Sequence, residues 1–342
     1  MKAIAKTRPG PGVELIDAPE PQVRPGTVKL RLEAASVCGT DLHIYAWDPW
    51  AASRILPPRI IGHEFCGTVV EVGEGVTDRQ VGDFVASESH IVCGRCYQCQ
   101  RGQGHVCANT RILGVDVDGG FAPYVVVPKE NAVPTDRRIP AGIACFQDAL
   151  GNAVHTAMAG PIEGCSILVT GLGPIGLMAA EVCATLGARQ VVGTEVSDYR
   201  IGLAEKLGLA HVLNPKHDDL DAVLGQLAPG GFDGVLEMSG HPTMLDLAVR
   251  HVRPGGRISL LGVFGENEQC VRINDIVFKG VDVQGIVGRN LWKTWEQMQD
   301  LLLNRGLDVS PIVTHEFPYS EFAQAMELMK KGEAGKVVFR FD

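Results

Sequence analysis

Ser166-Ile167-Leu168-Val169-Thr170-Gly171-Leu172-Gly173-Pro174-Ile175-Gly176 is the stretch on which the fold turns. Its first half reads as a short apolar strand, a G-x-G-x-x-G turn follows at once, and an apolar segment runs on as a helix to about Gly187. That context gives each glycine a separate task. Gly171 permits the tight turn, and Gly173 lets the backbone approach a pyrophosphate. Pro174 and Ile175 open the helix whose N-terminus faces the anion, and Gly176 lets that helix pack closely on the sheet. Glu195 ends the next strand, Gln190 to Thr194, where a carboxylate would grip both ribose hydroxyls and repel a 2′-phosphate. Neither of the two following positions is Lys or Arg, so NAD is preferred over NADP, and Arg200 is a candidate for the adenosine side.

Working outward from this turn, strand and helix alternate from about residue 141. Ser197-Asp198 can cap a helix through Lys206, with further strands at His211 to Leu213, Gly234 to Met238, Arg257 to Leu261 and Val281 to Ile286. Helices fit 218–227, 242–251, 292–304 and 319–331, and a strand fits Lys336 to Phe341. Alternation of this kind means parallel βαβ units and a doubly wound sheet. Before residue 141 the chain is turn-rich and β-like, with the period of a half-buried strand in Thr27-Val28-Lys29-Leu30-Arg31-Leu32. We therefore expect a β-rich domain over 1–145, an NAD-binding domain over 146–290, and a return of 291–342 to the first domain.

Bulk composition narrows the function. The 342 residues exceed what one core usually serves, and 45% hydrophobic with 21% charged content describes a globular enzyme. A net charge of −9 without any dense Lys/Arg run argues against a nucleic-acid partner. The N-terminus lacks an apolar signal segment, and the most apolar stretch, residues 165–180, is interrupted by Pro174 and glycines. A membrane span is therefore not expected, and a reducing cytoplasm fits the ten cysteines better than disulfides do.

Cys93, Cys96, Cys99 and Cys107 form C-x2-C-x2-C-x7-C, four thiolates able to close a tetrahedron around a structural zinc. An iron–sulfur cluster is the competing reading, disfavoured by the long final gap and the missing Cys-Pro ending. Cys66, Cys145, Cys165, Cys183 and Cys270 have no metal spacing and are expected in the core. A second cluster combines Cys38-Gly39-Thr40-Asp41-Leu42-His43 with Gly62-His63-Glu64. Thiolate, imidazole and carboxylate are the side chains that bind zinc, and a nearby hydroxyl and second imidazole could carry a proton away. An open zinc beside a nicotinamide implies oxidation of an alcohol to a ketone, zinc acting as Lewis acid and NAD accepting hydride.

The chain as a whole resembles the zinc-dependent medium-chain alcohol dehydrogenases. The resemblance rests on CGTDLHIYAWDPW (38–50), GHEFCG (62–67), ESHIVCGRC (88–96), LGNAVHTA (150–157), GLGPIGLMAAEV (171–182), LEMSG (236–240) and the GRNLWKTW region (288–295). It implies a GroES-like, mostly β catalytic domain joined to a Rossmann sheet, two zinc ions per chain, and a homotetramer. It implies that Cys38, His63 and Glu64 bind the catalytic zinc, that Asp41 holds the second nitrogen of His63, and that Thr40 takes the alcohol proton and relays it through the nicotinamide ribose to His43. Asp148 matches an acidic position of the family that is often Glu; here the chain is one methylene shorter, which leaves its metal contact open. His90 is implied near the substrate, and Ser239, Gly262, Val287 and Arg289 near the cofactor.

Within the family, CGTDLHIY followed by Trp and GNAVHTA resemble members acting on the 3-hydroxyl of L-threonine. The implied product is L-2-amino-3-oxobutanoate, which would lose CO₂ to aminoacetone or pass to a 2-amino-3-oxobutanoate CoA ligase. A polyol or 2,3-butanediol dehydrogenase, or a non-catalytic NAD-binding regulator, are the alternatives.

Overall fold

The computed structural model describes residues 1–341 and divides into two compact units, Met1–Ala149 with the chain from Val313 onward, and Leu150–Ile312. In the second unit six parallel strands lie in the spatial order His211–Leu213, Gln190–Thr194, Ser166–Thr170, Phe232–Glu237, Val252–Leu260, Asp282–Gly285. The direction of winding reverses between Ser166–Thr170 and Phe232–Glu237, the switch point at which such sheets bind ligands beyond the strand ends. Leu168, Val192, Phe232, Val235, Leu247, Val249 and Ile258 fill the core under the helices. Each such side chain contributes about 1.5–3 kcal/mol by leaving water.

Two expectations are corrected here. The strand placed at Arg257 to Leu261 begins earlier, at Val252, because the ladder carries an irregularity between Phe232 and Gly234 that accommodates Pro254-Gly255-Gly256. The return to the first unit begins at Val313, not at 291. Helix Lys293–Asn304 and the turn Ser310–Ile312 group with the second unit. That turn packs on helices Pro174–Thr185 and Asp198–Lys206 with Ile312 fully buried.

The first unit is organised around the strand Thr27–Val37. One edge pairs antiparallel with Glu64–Val72, and the other pairs antiparallel with Tyr124–Pro128 along its first half and with Lys336–Arg340 along its second. Phe84–Ser87, Ala132–Pro134 and Val313–Pro318 complete the sheet. Val28, Leu30 and Leu32 alternate into the core as the sequence pattern requires. The register sets Ser36 opposite Glu64 on one side and opposite Val338 on the other. The strand then runs directly through Cys38 into the helix Gly39–Ala46. Backbone pairing alone therefore brings the two halves of the expected metal cluster to one place.

Candidate metal centres and dinucleotide turn

At the end of the Thr27–Val37 strand, Cys38 donates its backbone N–H to Asp41 Oδ2 at 2.9 Å, so the carboxylate closes the first helical turn. The other oxygen, Oδ1, faces His63 Nδ1 at 3.9 Å. That separation lets charge act but is too long for a hydrogen bond. His63 leads into the adjacent strand Glu64–Val72, where Ser87 Oγ donates to the His63 carbonyl at 2.8 Å and accepts from Phe65 N–H at 3.2 Å. One donor atom each from Cys38, His63 and Glu64 falls within 4.8 Å of the others.

The electrostatics of this cluster ask for a cation. Burial pushes His63 down, yet the Cys38 sulfur, Asp41 and Glu64 overcome it and raise the imidazole to about 10. Glu64 is fully buried; Ser36 Oγ and Lys336 Nζ both donate to its Oε2, while Oε1 has no partner in the protein. A buried carboxylate oxygen without a donor is costly unless something binds it. Thiolate, imidazole and an open carboxylate oxygen are the donor set of a catalytic zinc, and the residues fit that ion.

Asp148 lies outside this donor set. Its Oδ1 accepts the Ser89 N–H at 3.0 Å, on a chain that continues to His90. His90 is held by Glu88, whose Oε1 sits 2.8 Å from the His90 N and 3.0 Å from Nδ1. Asn131 Nδ2 donates to the carbonyls of Glu88 and His90 at 2.6 and 3.0 Å. Thr40 Oγ1 is 3.9 Å from Cys38 Sγ. His43 projects into solvent with Asp48 Oδ2 at 2.6 Å from its Nδ1.

Cys93, Cys96, Cys99 and Cys107 converge as their spacing predicts. Cys96 and Cys107 sulfurs are 3.8 Å apart, and four sulfurs each at about 2.3 Å from one zinc would be separated by about 3.8 Å. Cys93 and Asn109 direct backbone N–H groups at Cys107 Sγ, both at 3.3 Å. The Arg95 amide, Asn109 and the Cys96 amide lower the Cys93 thiol to about 6, as a thiolate ligand requires. Cys66, Cys145 and Cys183 are buried as expected. Cys165 is only partly buried and Cys270 is exposed, because Cys270 lies in the irregular segment before helix Ile273–Lys279 and packs under no element.

In the second unit the G-x-G-x-x-G turn fits a dinucleotide. Gly171 has φ +86°, and a side chain there would strike Ser239; a side chain on Gly176 would strike the Gly171 carbonyl. At Gly173, by contrast, the space is open, bounded at 4.0 Å by Arg200 Nη1. Helix Pro174–Thr185 begins on Gly173 without a side-chain cap, which leaves its first N–H groups for an anion. Glu195 is buried and accepts N–H groups from Leu172 at 3.1 Å, Val196 at 2.8 Å and Ser197 at 3.0 Å.

Glu237, which no spacing marks, is the node of the switch point. It is fully buried and accepts from Ser239 N–H at 3.0 Å, Gly240 N–H at 3.1 Å and the Ser239 hydroxyl. A side chain on Gly262 would strike its Oε2. Val287 is half exposed, whereas Arg289 is buried against Gly151 with Nη1 donating to Asn152 at 3.0 Å.

Comparison with known proteins agrees with this geometry. Residues 174–304 match the zinc-binding dehydrogenase family and residues 24–137 the alcohol dehydrogenase GroES-like domain. L-threonine 3-dehydrogenase of Pyrococcus horikoshii is 48% identical over 99% of this chain and 98% of its own. The Shewanella woodyi enzyme of the same name is 40% identical over the whole of both chains. Among solved structures, a short chain alcohol dehydrogenase from E. coli CFT073 complexed with NADH superposes with TM-score 0.91 at 29% identity, covering 100% of this chain and 99% of that one. The 2R,3R-butanediol dehydrogenase of Bacillus subtilis gives 0.89 at 26% identity, covering 100% and 99%.

Proposed function

The chain belongs to the zinc-binding alcohol dehydrogenase family, and on that premise we infer that it oxidises the 3-hydroxyl of L-threonine with NAD, giving L-2-amino-3-oxobutanoate. The observation that carries this reading is the Cys38–His63–Glu64 donor set, with a hydroxyl at Thr40 beside it, in a chain alike to threonine dehydrogenases from end to end.

Cys38, His63 and Glu64 would hold the catalytic zinc, and Cys93, Cys96, Cys99 and Cys107 a structural one. When bound, zinc supplies the Lewis acidity that lowers an alcohol's pKa, and NAD supplies the hydride acceptor. The chain's own residues bind, orient and move the proton. Asp41 holds Cys38 in place through its backbone and sets negative charge behind His63. Thr40 takes the proton of the substrate hydroxyl, and His43 passes it to water. Glu88 and Asn131 fix His90, which would face the substrate. The Gly171–Gly176 turn receives the pyrophosphate, and Glu195 accepts the ribose hydroxyls and turns away a 2′-phosphate.

The finer expectations have their own supports. Five of the ten cysteines fall in the two donor clusters, the pattern of a metal-binding rather than a disulfide-bonded chain, which fits a reducing cytoplasm. No helix among the described residues is long and apolar enough to cross a membrane. The strand Asp282–Gly285 is the open edge of its sheet, and Val277 and Phe278 of the preceding helix are exposed. An unpaired, apolar edge of this kind fits assembly with further copies into the tetramer. The β-keto acid product calls for a decarboxylation or a CoA ligase downstream.

The test is a panel of L-threonine, polyols and 2,3-butanediol followed by NADH absorbance, with and without a chelator. L-threonine is expected to be the best substrate, with turnover lost on metal removal and two zincs per chain before it. Polyol oxidation far more efficient than that of L-threonine would overturn the substrate, and no NADH from any alcohol would favour a non-catalytic role.

A further inference from the structure

His43 sits in the last turn of helix Gly39–Ala46 with its side chain 60% exposed. An exposed imidazole on so short a helix would ordinarily sample several rotamers and both neutral tautomers. This one is anchored. Asp48 Oδ2 lies 2.6 Å from His43 Nδ1, and Trp50 packs edge-on against the ring with centroids 6.1 Å apart.

The anchor is itself held in place. Asp48 is the N-cap of the next helix, Pro49–Arg54, and its Oδ1 accepts the Ala51 N–H at 2.9 Å. The two oxygens therefore have divided duties, one fixing the carboxylate and the other reaching the imidazole. The Ala51 amide, and then His43, hold Asp48 below the ordinary carboxylate range, so it accepts hydrogen bonds and donates none. Between the two residues the chain makes an unusual turn. Trp47 is left-handed at φ 58°, the only non-glycine residue with positive φ among those described. β-Carbon crowding disfavours that conformation. It is supported by Lys6, whose ammonium lies 4.7 Å over the Trp47 ring, and by the Gly12 N–H bonded to the Tyr45 carbonyl at 2.7 Å. The strained residue is the one that turns Asp48 back onto His43.

We propose that Asp48 is a positioning residue of the proton exit, holding His43 as the Nδ1–H tautomer so that Nε2 is the base. This rests on His43 being the group that carries the substrate proton to water. An acceptor-only carboxylate on Nδ1 obliges that nitrogen to keep its hydrogen, which leaves the Nε2 lone pair free. Nε2 takes up the proton, Asp48 stabilises the resulting imidazolium, and Nε2–H then yields the proton to water, restoring the starting tautomer. Over the whole cycle His43 and Asp48 keep their proton counts, and one proton passes from the substrate hydroxyl to water.

The variant Asp48→Asn tests this, because Asn caps a helix as well as Asp does. With its oxygen on the Ala51 N–H, its amide nitrogen would donate to Nδ1 and drive the hydrogen to Nε2. On holoenzyme labelled with ¹⁵N-histidine, with His43→Gln to assign the signal, the His43 tautomer is expected to change from Nδ1–H to Nε2–H. Turnover of L-threonine is expected to fall about tenfold or more in kcat with little change in KM, and added imidazole should restore part of it. Asp48→Ser, which also caps, should lose as much. In a His43→Gln background Asp48→Asn should cost nothing further. An unchanged tautomer in Asp48→Asn, or losses that add in the double variant, would overturn the assignment. The tautomer measurement needs no turnover, so a wild-type enzyme inactive on L-threonine would sink the substrate reading and still leave this one tested.

Discussion

Lys336 and Glu64 form an ion pair in which the side chains are only 3% and 1% exposed, although 272 residues separate them in the chain. Burial pushes the Lys336 ammonium down, and Glu64 and Cys38 more than reverse it. Burial likewise pushes Glu64 up, and Lys336 and His63 bring it below the ordinary carboxylate range. The returning C-terminal strand thus takes up one oxygen of the Glu64 carboxylate and leaves the other without a partner among the described residues.

Removing one member of a buried pair leaves an uncompensated charge, at a cost of about 3–5 kcal/mol. Lys336→Met is therefore expected to lower the unfolding free energy from urea denaturation by that amount in metal-free protein. Bound zinc would take over part of the neutralisation, so the loss should be smaller in the loaded protein. Equal losses in both forms would mean that Glu64 does not face the metal.

Glu195 is held by the N–H groups of Leu172, Val196 and Ser197. In Glu195→Ala those donors, with Arg200 3.9 Å from where the carboxylate stood, become a site for an anion. kcat/KM with NAD should fall about tenfold, the worth of a lost charged hydrogen bond, while that with NADP rises. Steady-state kinetics with both cofactors measure the ratio, and an unchanged ratio would remove Glu195 from cofactor selection.

Asp116 joins the loop after Arg111–Ile112 to helix Pro49–Arg54 by two bonds of 2.7 Å from Arg54. Burial pushes Asp116 up, but Arg54 and the Ile112 N–H hold it below its ordinary 3.8. A depressed carboxylate contributes stability that is fully present above the unfolded value and lost as pH falls through the folded one. The wild type should therefore lose stability below about pH 4 through this group, and Asp116→Asn should lack that component. Because the Arg54 side chain is 39% exposed, the difference at neutral pH is expected to be only about 0.5–1 kcal/mol. Denaturation midpoints across pH 3–7 measure it.

Features carried by local spacing were legible in the sequence. Strands Ser166–Thr170 and Gln190–Thr194, helix Pro242–His251 and the four-cysteine loop lie where the residues place them. Partners supplied by cross-strand register were not. Ser36 and Lys336 reach Glu64 only because Thr27–Val37, which carries Ser36, is flanked by Glu64–Val72 on one side and by Lys336–Arg340 on the other. No motif relates positions so far apart. Glu237 escaped for the opposite reason: a carboxylate ending an apolar strand looks like a boundary until the loops it bonds have folded around it. Asp48 lay within the quoted CGTDLHIYAWDPW stretch, but its reach to His43 depends on the backbone of Trp47, which sequence does not display.

The register also favours one carboxylate over the other for the proposed catalytic donor set. Glu64 follows His63 directly at the head of a strand locked to Ser36, so one of its carboxylate oxygens stays within 4.8 Å of the Cys38 and His63 donor atoms. Asp148 stands on helix Gln147–Ala157, and its Oδ1 is engaged by the Ser89 amide at 3.0 Å. Loss of a ligand or its close support costs about 10–100-fold in metal affinity. Glu64→Gln is accordingly expected to weaken zinc retention by that factor. Asp148→Asn keeps an oxygen for Ser89 and should retain zinc nearly as the wild type does. Competition of each variant with a chromophoric chelator reads this without turnover. A structural zinc on Cys93, Cys96, Cys99 and Cys107 would serve as the internal reference, since neither substitution touches those residues. Should Asp148→Asn release the catalytic metal more readily than Glu64→Gln, the donor set drawn from this register would have to give way to one containing Asp148.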